Sequence, residues 1–576
     1  MNTPEAAPQP EPHYRPGATG RAPLAWFILP LLAGYLLADA FPTASPTPLI
    51  VAMLPLAAGA GALAVCAPER GFSGRLSFGV WGASFVLAAT LLAWAWHNVL
   101  LPPPDPVWAE LPPREAKLAL CPSRLFSSAP GENFAGGIAR VVGAPLVMHD
   151  LVGLELSFRV RLHAGESAPA RGSIVEVNGL LTYLAPPAAG TAPNGFDQYL
   201  RHQGVWFTLN RGVITRVLAP ASWWTRWCAA QNARIGVILG RGPVGWEARD
   251  GNLYAAMTLG QPTLLDEAQR DAFTLMGVMH LFAISGLHVG LVAGALFWCL
   301  RRVPRLPRPA GEAASLALAW LYIEITGGSP SARRAGIMLT FYLLVVWLGR
   351  PRAALAAIFG AAVFSLLINP GDLWNPGFQL SYSAVLGMIL YGVPLLAALQ
   401  ARLQFWRDLP VASRAPWQKV VLWLWRRLLA YLVFSWTALL CIGPLTADYF
   451  GVVSAGSMLL SFILVPLLGA VLAAGLVAAL LGQVLWPPFT WLTWLVNALG
   501  LSVTGLMQAI VNTAMPLPGL HARVQLNPAW AGPVATASVL AVMLFVRPRG
   551  RMPPWWYYVL PVIVLAGMAG YALRPA

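Results

Sequence analysis

The chain has 576 residues, of which 57% are hydrophobic and 11% are charged, and its mean hydropathy is +0.61. Soluble domains carry about 25% charged residues, so this composition excludes a soluble enzyme and predicts a polytopic membrane protein. The net charge of +15 is weak support for nucleic-acid binding, because the cytoplasmic loops of membrane proteins are basic in any case.

The first hundred residues predict a tail and a membrane region. Residues 1–23 are rich in Pro, Ala and Gly, which is typical of a disordered tail. Three transmembrane helices are predicted within 24–100, at about 24–40, 48–66 and 77–100, and the first lacks a clean signal-peptide cleavage site. The arginines of the tail and of the second loop place both in the cytoplasm, so the third helix leads the chain to the outer side.

Residues 103–220 differ in composition from both flanks and predict a soluble β domain. After a Pro-rich linker, apolar and polar residues alternate in segments that Gly, Pro and Asn separate, which predicts about five short strands. A small closed barrel of the OB type leaves no exposed strand edge. We therefore predict an OB-like domain on the periplasmic or extracellular side.

Five side chains of this domain are candidates for contacts with single-stranded nucleic acid, which OB folds often bind through aromatic and basic residues. They are Arg159, Arg161, Tyr199, Arg201 and Trp206. The alternative, which the residues alone favour, is that the aromatic rings form the barrel core and the arginines lie on a solvated face.

Residues 221–270 predict amphipathic helices that lie in the membrane interface. Trp223, Trp224 and Trp227 occur there together with Arg226 and Arg234. Aromatic and basic residues in this combination suit the boundary between lipid headgroups and acyl chains.

From residue 271 onward the sequence predicts about ten further spans. The basic loops at 301–308, 402–427 and 547–551 all fall on the cytoplasmic side when the N-terminus is inside. The predicted fold is a polytopic α-helical membrane protein of about 11–13 transmembrane helices, with the OB-like domain inserted after the third span. Residues 271–515 form its predicted membrane core and 516–576 its C-terminal helices.

The segment 272–299 is apolar enough to cross a bilayer but carries polar and small residues at its centre. They are His280, Ser285, Gly286, His288 and Gly290. Polar residues at this depth usually face a bundle interior or a water-filled path. On a straight helix the two histidines lie roughly 12 Å apart along the axis and about 80° apart around it, too far to share a metal ion. A break at Ser285–Gly286 changes that geometry; alternatively, the glycines allow close helix packing and the histidines bond to neighbouring helices.

Two later segments also place polar residues within or beside predicted spans. Arg333 and Arg334 lie at an outer turn, although the positive-inside rule places most basic residues in cytoplasmic loops. They either pair with Glu324 across the hairpin or line a path for phosphates. Gln379 and Ser383 are four residues apart and hence on one helix face, where they either line the same path or bond to neighbouring helices.

Several segments resemble, in order, the motifs of the ComEC family of competence proteins. HLFAISGLHVG (280–290) is similar to the family signature, and Ser-Ala-Arg-Arg-Ala-Gly (331–336) to a second motif. The segments 369–388 and 443–469 are similar to a third and a fourth, and 193–209 to the end of the family's soluble region. One departure is Ser461, where the family usually has Asn.

The resemblance implies a bacterial inner-membrane channel that carries single-stranded DNA into the cytoplasm during natural transformation, with 271–515 as the channel core. We predict that the DNA path is lined by His280, Ser285, Gly286, His288, Arg334, Gln379 and Ser383. The predicted partners are single-stranded DNA, the lipid bilayer, a separate motor or helicase, a DNA receptor and a separate nuclease, whereas the oligomeric state is not defined by the sequence.

The sequence lacks the motifs of a metal-dependent nuclease and of an ATPase. Many ComEC proteins end in a metallo-β-lactamase-like domain, whose His-x-His-x-Asp-His cluster holds metal ions. Only His521 follows His288 in this sequence, which also has no Walker A motif. We therefore expect no such domain, no catalytic activity, no cofactor and no metal.

Two other functions stay open at this point. One is a transporter or export channel for another anionic polymer or solute, which the same basic lining would serve. The other is an intramembrane metal-dependent enzyme that uses His280 and His288. The sequence also leaves open whether Cys121 and Cys228, in or beside the outer region, pair with each other.

Overall fold

A computed structural model of the chain describes residues 25–575 except for 42–45, 67–73, 106, 127–132, 164–167, 186–194, 242–247, 304–305, 350–353, 404, 407–412, 455, 485–489, 518–519, 521, 527–529 and 546–554. The predicted disordered tail at 1–23 lies outside the described residues.

Three helices precede the β domain, where the sequence predicts three spans. They are α1 (Ala25–Ala40), α2 (Thr47–Cys66) and α3 (Gly74–Leu100). Both α1 and α2 pack on α3. The buried Tyr35 hydroxyl of α1 donates a hydrogen bond of 2.8 Å to the carbonyl oxygen of Leu366, which ties this group to the helices that follow the barrel.

Five strands then close into a barrel, as predicted. After the short α4 (Val107–Glu110), the strands are β1 (Arg114–Phe126), β2 (Phe134–Gly143), β3 (Glu155–Arg161), β4 (Ile174–Tyr183) and β5 (Phe207–Ala219), with α5 (Gly195–His202) between β4 and β5. The strand order is β1-β2-β3-β5-β4, closed by β4 on β1, and only β3 and β5 are parallel. Alternate side chains fill the interior, so the domain is a small OB-like barrel.

Helices make up most of the remaining chain. They are α6 (Trp223–Leu239), α7 (Ala248–Leu259), α8 (Glu267–Leu275), α9 (Gly286–Leu300), α10 (Arg308–Ile325), α11 (Pro330–Trp347), α12 (Ala354–Ile368), α13 (Pro376–Gly387), α14 (Val393–Arg402), α15 (Pro416–Phe450), α16 (Gly456–Val484), α17 (Thr490–Ala514), α18 (Ala531–Phe545) and α19 (Trp555–Ala572). A π-turn at Met388–Gly392 joins α13 to α14. The short strands β6 (Val452–Val453), β7 (Ala522–Leu526) and β8 (Leu573–Pro575) form a second sheet.

Six helical segments in the described part of the chain are long and apolar enough to cross a membrane by length and composition. They are Val80–Leu100, Met279–Leu300, Pro376–Arg402, Pro416–Phe450, Gly456–Gln483 and Trp491–Ala514. Five shorter apolar helices accompany them, at Phe27–Ala40, Thr47–Ala58, Ala354–Ile368, Ala531–Phe545 and Trp555–Gly570. The chain is therefore a multi-pass α-helical membrane protein, although α10 and α11, where two more spans are predicted, carry charged residues at their ends.

The helices α6 and α7 occupy the region in which the sequence predicts interfacial helices. Trp223 and Trp224 of α6 are exposed, but Leu253, Tyr254 and Met257 of α7 are completely buried. The helix α7 packs against α16 and α17 in the largest apolar cluster. The apolar face of α7 is thus buried against two long helices, and the interfacial position of residues 221–270 stays a prediction.

Candidate functional site

The apolar segment at 272–299 is broken in the structure. The helix α8 ends at Leu275, a tight turn covers Met279–Leu281, and α9 begins only at Gly286, with Ser285 as its N-cap. Gly277 permits the first change of direction with a φ of +68°, and a Cβ atom there would lie 2.8 Å from the Cβ atom of Ser454. The two histidines therefore lie on different elements, so the straight-helix geometry does not apply.

The two histidines have different surroundings. The His280 side chain is exposed. Its Nδ1 atom lies 3.2 Å from the Gly277 carbonyl oxygen, which only accepts hydrogen bonds, so Nδ1 carries the proton. His288 is completely buried, and its Nδ1 atom lies 3.1 Å from the Ser285 hydroxyl oxygen.

The helix packing at Gly286 and Gly290 is not close enough to require glycine at either position. A Cβ atom at Gly286 would make an ordinary contact of 3.9 Å with the Cβ atom of Ala335, and one at Gly290 would have no neighbour within 4 Å. The contact with Ala335 shows instead that the start of α9 lies beside the arginine pair of α11.

The arginine pair is split between two environments. Arg333 Nη2 lies 2.7 Å from Glu324 Oε1, so the predicted pairing across the α10–α11 hairpin is present. Arg171 of the barrel lies 4.0 Å from the same carboxylate. Burial and the positive charge of Arg333 lower the pKa of the Arg171 guanidinium. Arg334 is only 6% exposed, and within the described residues its Nε atom has no hydrogen-bond partner. Its Nη2 atom is so close to Gly377 that a Cβ atom there would lie 2.7 Å away.

The predicted polar stripe of α13 is held by neighbouring groups. Gln379 Nε2 donates to the carbonyl oxygen of Leu373 at 2.8 Å, and the Tyr449 hydroxyl donates to Gln379 Oε1 at 2.7 Å. Ser383 is half-buried one turn further along the helix. Gln379 thus makes the bonds that the interhelical alternative predicts, and it joins the motif at 369–388 to α15.

The end of α5 docks the barrel onto the helices, which no pattern in the sequence predicts. Gln203 donates from Nε2 to the carbonyl oxygen of Gly371 at 2.7 Å. Its Oε1 atom accepts from Arg124 Nη1 at 3.0 Å and from Asn369 Nδ2 at 3.1 Å. Asn369 Nδ2 also donates to Asp372 Oδ1 at 3.1 Å. These five residues form what we call the docking seam, and they bring the motifs at 193–209 and 369–388 into direct contact.

An aromatic cleft of about 580 Å³ opens on the barrel next to α5. We call it the barrel cleft; among its lining residues are Phe126, Phe134, Arg159, Tyr183, Phe196 and Asn210. The Arg159 guanidinium lies over the Phe134 ring, 4.9 Å from its centroid. The cleft combines the β2–β3 face with the β4–β5 connection, which is where OB folds bind oligonucleotides. Accessible rings with a cation above them suit the stacking of bases.

The structure divides the five barrel candidates by position. Arg159 lines the barrel cleft and Tyr199 stacks on Phe196 beside it, with ring centroids 6.2 Å apart. Arg201 donates to the carbonyl oxygen of Ala185 at 2.8 Å at the cleft rim. Arg161 is exposed next to Phe134 in the β2–β3 register, whereas Trp206 packs against the barrel core. Phe134 and Phe196 also line the cleft but were not among the predicted residues, because Phe134 begins β2 and Phe196 lies in α5, and only the fold brings the two rings together.

Among the described residues there is neither a cluster of metal ligands nor a disulfide between Cys121 and Cys228. Within them, no group of three or more His, Cys, Asp or Glu side chains lies close enough to hold a metal ion. Cys121 is half-buried and Cys228 is buried, and both are free thiols. Burial and the nearby Glu324 carboxylate raise the pKa of Cys228, so this thiol is poorly suited to nucleophilic chemistry.

Comparison with known proteins decides the family. Residues 257–550, just over half of the 576, match the family model described as "Competence protein". The chain belongs to the ComEC family of competence proteins. The match starts in α7 and ends beyond α18, so it includes the broken segment, the arginine pair and the motif at 369–388.

Curated relatives of this competence protein match shorter parts of it. "ComE operon protein 3" of Bacillus subtilis is 37% identical over 141 residues, which are 24% of this chain and 18% of that protein. "Competence protein ComA" of Neisseria gonorrhoeae is 32% identical over 144 residues, 24% of this chain and 21% of the relative. "Recombination protein 2" of Haemophilus influenzae is 25% identical over 266 residues, 44% of this chain and 31% of the relative. The matches thus span less than a third of each relative, and no solved structure matches the chain.

Proposed function

We propose that this competence protein takes part in DNA uptake during natural transformation, as a channel that conducts single-stranded DNA across the bacterial inner membrane into the cytoplasm. The observation that carries the proposal is the barrel cleft. It occupies the surface with which OB folds bind single strands, in a chain whose remaining half matches the competence family. On this proposal the barrel lies on the periplasmic side and receives the strand.

The docking seam supports a direct transfer from the barrel to the membrane helices. It fixes α5, which lines the cleft, onto the turn at Pro370–Trp374, and the buried Arg334 lies near that turn. A strand that leaves the cleft beside α5 would therefore meet Arg334 first and the His280 region beyond it. Conduction needs contacts that are weak and repeated, which separate arginine and histidine side chains along a path provide.

The proposed path includes residues that are closed off in this conformation. His288 and Arg334 are buried, and Gln379 is held at both ends of its amide by hydrogen bonds. We propose that Ser285, Gly286 and Ser383 line the path with them once the helices around α9 and α11 separate. Because His280 is already accessible, it is the residue of this set at which the opening would begin.

We further propose that the protein is not an enzyme. The cleft is lined mainly by aromatic, aliphatic and hydroxyl side chains, and it has one carboxylate, Asp197, rather than a cluster of metal ligands or paired carboxylates. A motor or helicase, a DNA receptor and a nuclease would then be separate chains that act before or after the channel.

The test is uptake of labelled duplex DNA by the native host, scored as labelled strand in the cytoplasm. We expect a deletion of the gene to leave DNA outside the inner membrane, and Arg334→Ala and Phe134→Ala to do the same at wild-type protein levels. Arg216→Ala, at an exposed position of β5 outside the cleft, serves as the matched control and should import normally. Normal import by the deletion strain would rule out the channel and favour transport of another anionic polymer.

A further inference from the structure

A second apolar groove lies between α15 and α16, far in sequence from the barrel. It has a volume of about 560 Å³ and is lined chiefly by hydrocarbon, with Leu424, Leu428 and Tyr431 on α15 and Phe462 and Pro466 on α16. The Tyr431 and Phe462 rings meet edge to face at a centroid distance of 5.0 Å. Arg427 is the charged residue among the lining side chains.

The length of α15 gives the position of this groove in the membrane. With 35 residues, α15 is about 52 Å long, whereas the hydrocarbon core of a bilayer is about 30 Å thick. The basic residues Arg414, Lys419, Arg426 and Arg427 are all in or before its first twelve residues, which marks this end as cytoplasmic. Arg427 therefore lies near the cytoplasmic boundary of the hydrocarbon. From there the groove extends into the membrane along Leu428 and Tyr431, whereas Val421 and Leu424 lie on its cytoplasmic side.

The surroundings of Arg427 favour an anionic ligand. The segment 402–427 carries six basic residues and a single acidic one, Asp408. Within the described residues, neither Arg426 nor Arg427 pairs with a carboxylate. The Arg427 guanidinium instead lies 5.6 Å from the ring centroid of Trp423. Its charge is thus available at the mouth of an apolar groove.

The face of the helix decides which groups one ligand can reach together. Leu424, Arg427 and Tyr431 are separated by three and four residues, so they line one face of α15. A molecule whose hydrocarbon fills the groove therefore has Arg427 beside its cytoplasmic end. Leu424 is 52% exposed and Trp423 is 57% exposed, so the groove opens sideways toward lipid. Basic pockets between membrane helices on the cytoplasmic side are suited to anionic lipid headgroups.

We infer that this groove binds one anionic phospholipid of the bilayer, with an acyl chain along Leu428, Tyr431 and Phe462 and the phosphate at Arg427. The adjacent Lys419 and Arg426 add to the local positive potential without lining the groove. This inference is independent of the proposed DNA channel, because it concerns the opposite end of the membrane helices and a different ligand.

Lipid binding can be measured on the purified full-length protein by native mass spectrometry. The delipidated protein is titrated with dioleoyl-phosphatidylglycerol or with dioleoyl-phosphatidylcholine, which differ only in headgroup. With Arg427 as the one contacting charge, we expect phosphatidylglycerol to bind about fivefold more tightly than phosphatidylcholine. Arg427→Gln should remove that preference. Arg427→Lys, which keeps the charge, should retain most of it.

Two further variants separate a specific site from general surface charge. Arg302 also lies over a tryptophan, 3.2 Å from the Trp298 ring centroid, but outside the groove, so Arg302→Gln should leave both affinities unchanged. Leu424→Trp fills the groove and should weaken both lipids. Equal affinities for the two lipids, an equal loss in Arg302→Gln and Arg427→Gln, or unchanged binding in Leu424→Trp would each overturn the inference.

Discussion

The stacked pair of Phe134 and Arg159 is the part of the barrel cleft that a nucleobase can reach, since Phe134 is 37% exposed at the cleft edge. Stacking of one base on an aromatic ring contributes about 1–3 kcal/mol. We therefore expect Phe134→Ala to weaken binding of a labelled single-stranded oligonucleotide by roughly 5- to 150-fold, as measured by fluorescence anisotropy on the purified protein.

Salt dependence separates the two members of the pair. A side chain that contacts phosphate releases counterions, so Arg159→Ala should lower the slope of log affinity against log salt by about 0.7. Phe134→Ala should lower the affinity without changing that slope. Arg216→Ala is the control for loss of a surface charge, and an affinity loss as large as that of Arg159→Ala would contradict a contact specific to the cleft.

Asp372 gives the docking seam a pH dependence of a definite sign. Burial raises the pKa of its carboxyl above the ordinary 3.8, and the positive charges of Arg124 and Arg334 offset only part of this. The folded state thus favours the protonated form, so the stability that Asp372 contributes is present at low pH and is lost as the pH rises through the folded pKa. We expect the melting temperature of Asp372→Asn, relative to wild type, to increase between pH 4 and pH 7. A difference that stays constant or decreases over this range would show that the carboxylate is net stabilised.

The element that gives the membrane core its geometry is the break between α8 and α9. Gly277 combines a φ of +68° with close contacts to Ser454 and Ser457, so Gly277→Ala adds both backbone strain and a clash. We expect a loss of roughly 1–3 kcal/mol in unfolding free energy, seen as reduced thermal stability in detergent. Gly290→Ala is the matched control, because its Cβ atom has no neighbour within 4 Å and α9 gains helix propensity. Equal stability of the two variants would mean that the turn is not constrained.

The same elements show how far sequence patterns reach. The alternation of apolar and polar residues predicts the five barrel strands because a half-buried strand repeats every two residues. The burial of α7, by contrast, depends on α16 and α17, more than 200 residues later, and its charged first residues Arg249 and Asp250 do not indicate it. The two arginines of α11 show the same limit of sequence patterns. Arg333 pairs with Glu324, only nine residues away, and this pairing was one of the two predicted alternatives. Arg334 lies against Gly377, more than forty residues away, and its surroundings cannot be inferred from local spacing.

Two family motifs that are distant in the sequence form one contact in the fold. The segment 193–209 ends in Gln203, and the segment 369–388 begins at Asn369 and Gly371. Stacking of His202 on Trp374, with ring centroids 4.8 Å apart, extends the docking seam toward α1 and α3. The family motifs therefore include residues that orient the barrel on the membrane helices, besides those proposed to meet DNA.

Loosening the docking seam should separate DNA binding from DNA import. A Cβ atom at Gly371 would collide with the carbonyl oxygen of His202, so Gly371→Ala pushes the barrel, together with α5, away from the membrane helices. The barrel cleft itself is unaltered, so we expect oligonucleotide affinity within about twofold of wild type but at least tenfold less labelled strand in the cytoplasm, since a 1 Å displacement of a binding element costs up to about 100-fold in positioned reactions. Gly195→Ala, at the other end of α5 with no neighbour within 4 Å, is the matched control and should import normally. Normal import by Gly371→Ala, with protein levels and membrane insertion equal, would show that the barrel delivers DNA without a fixed orientation.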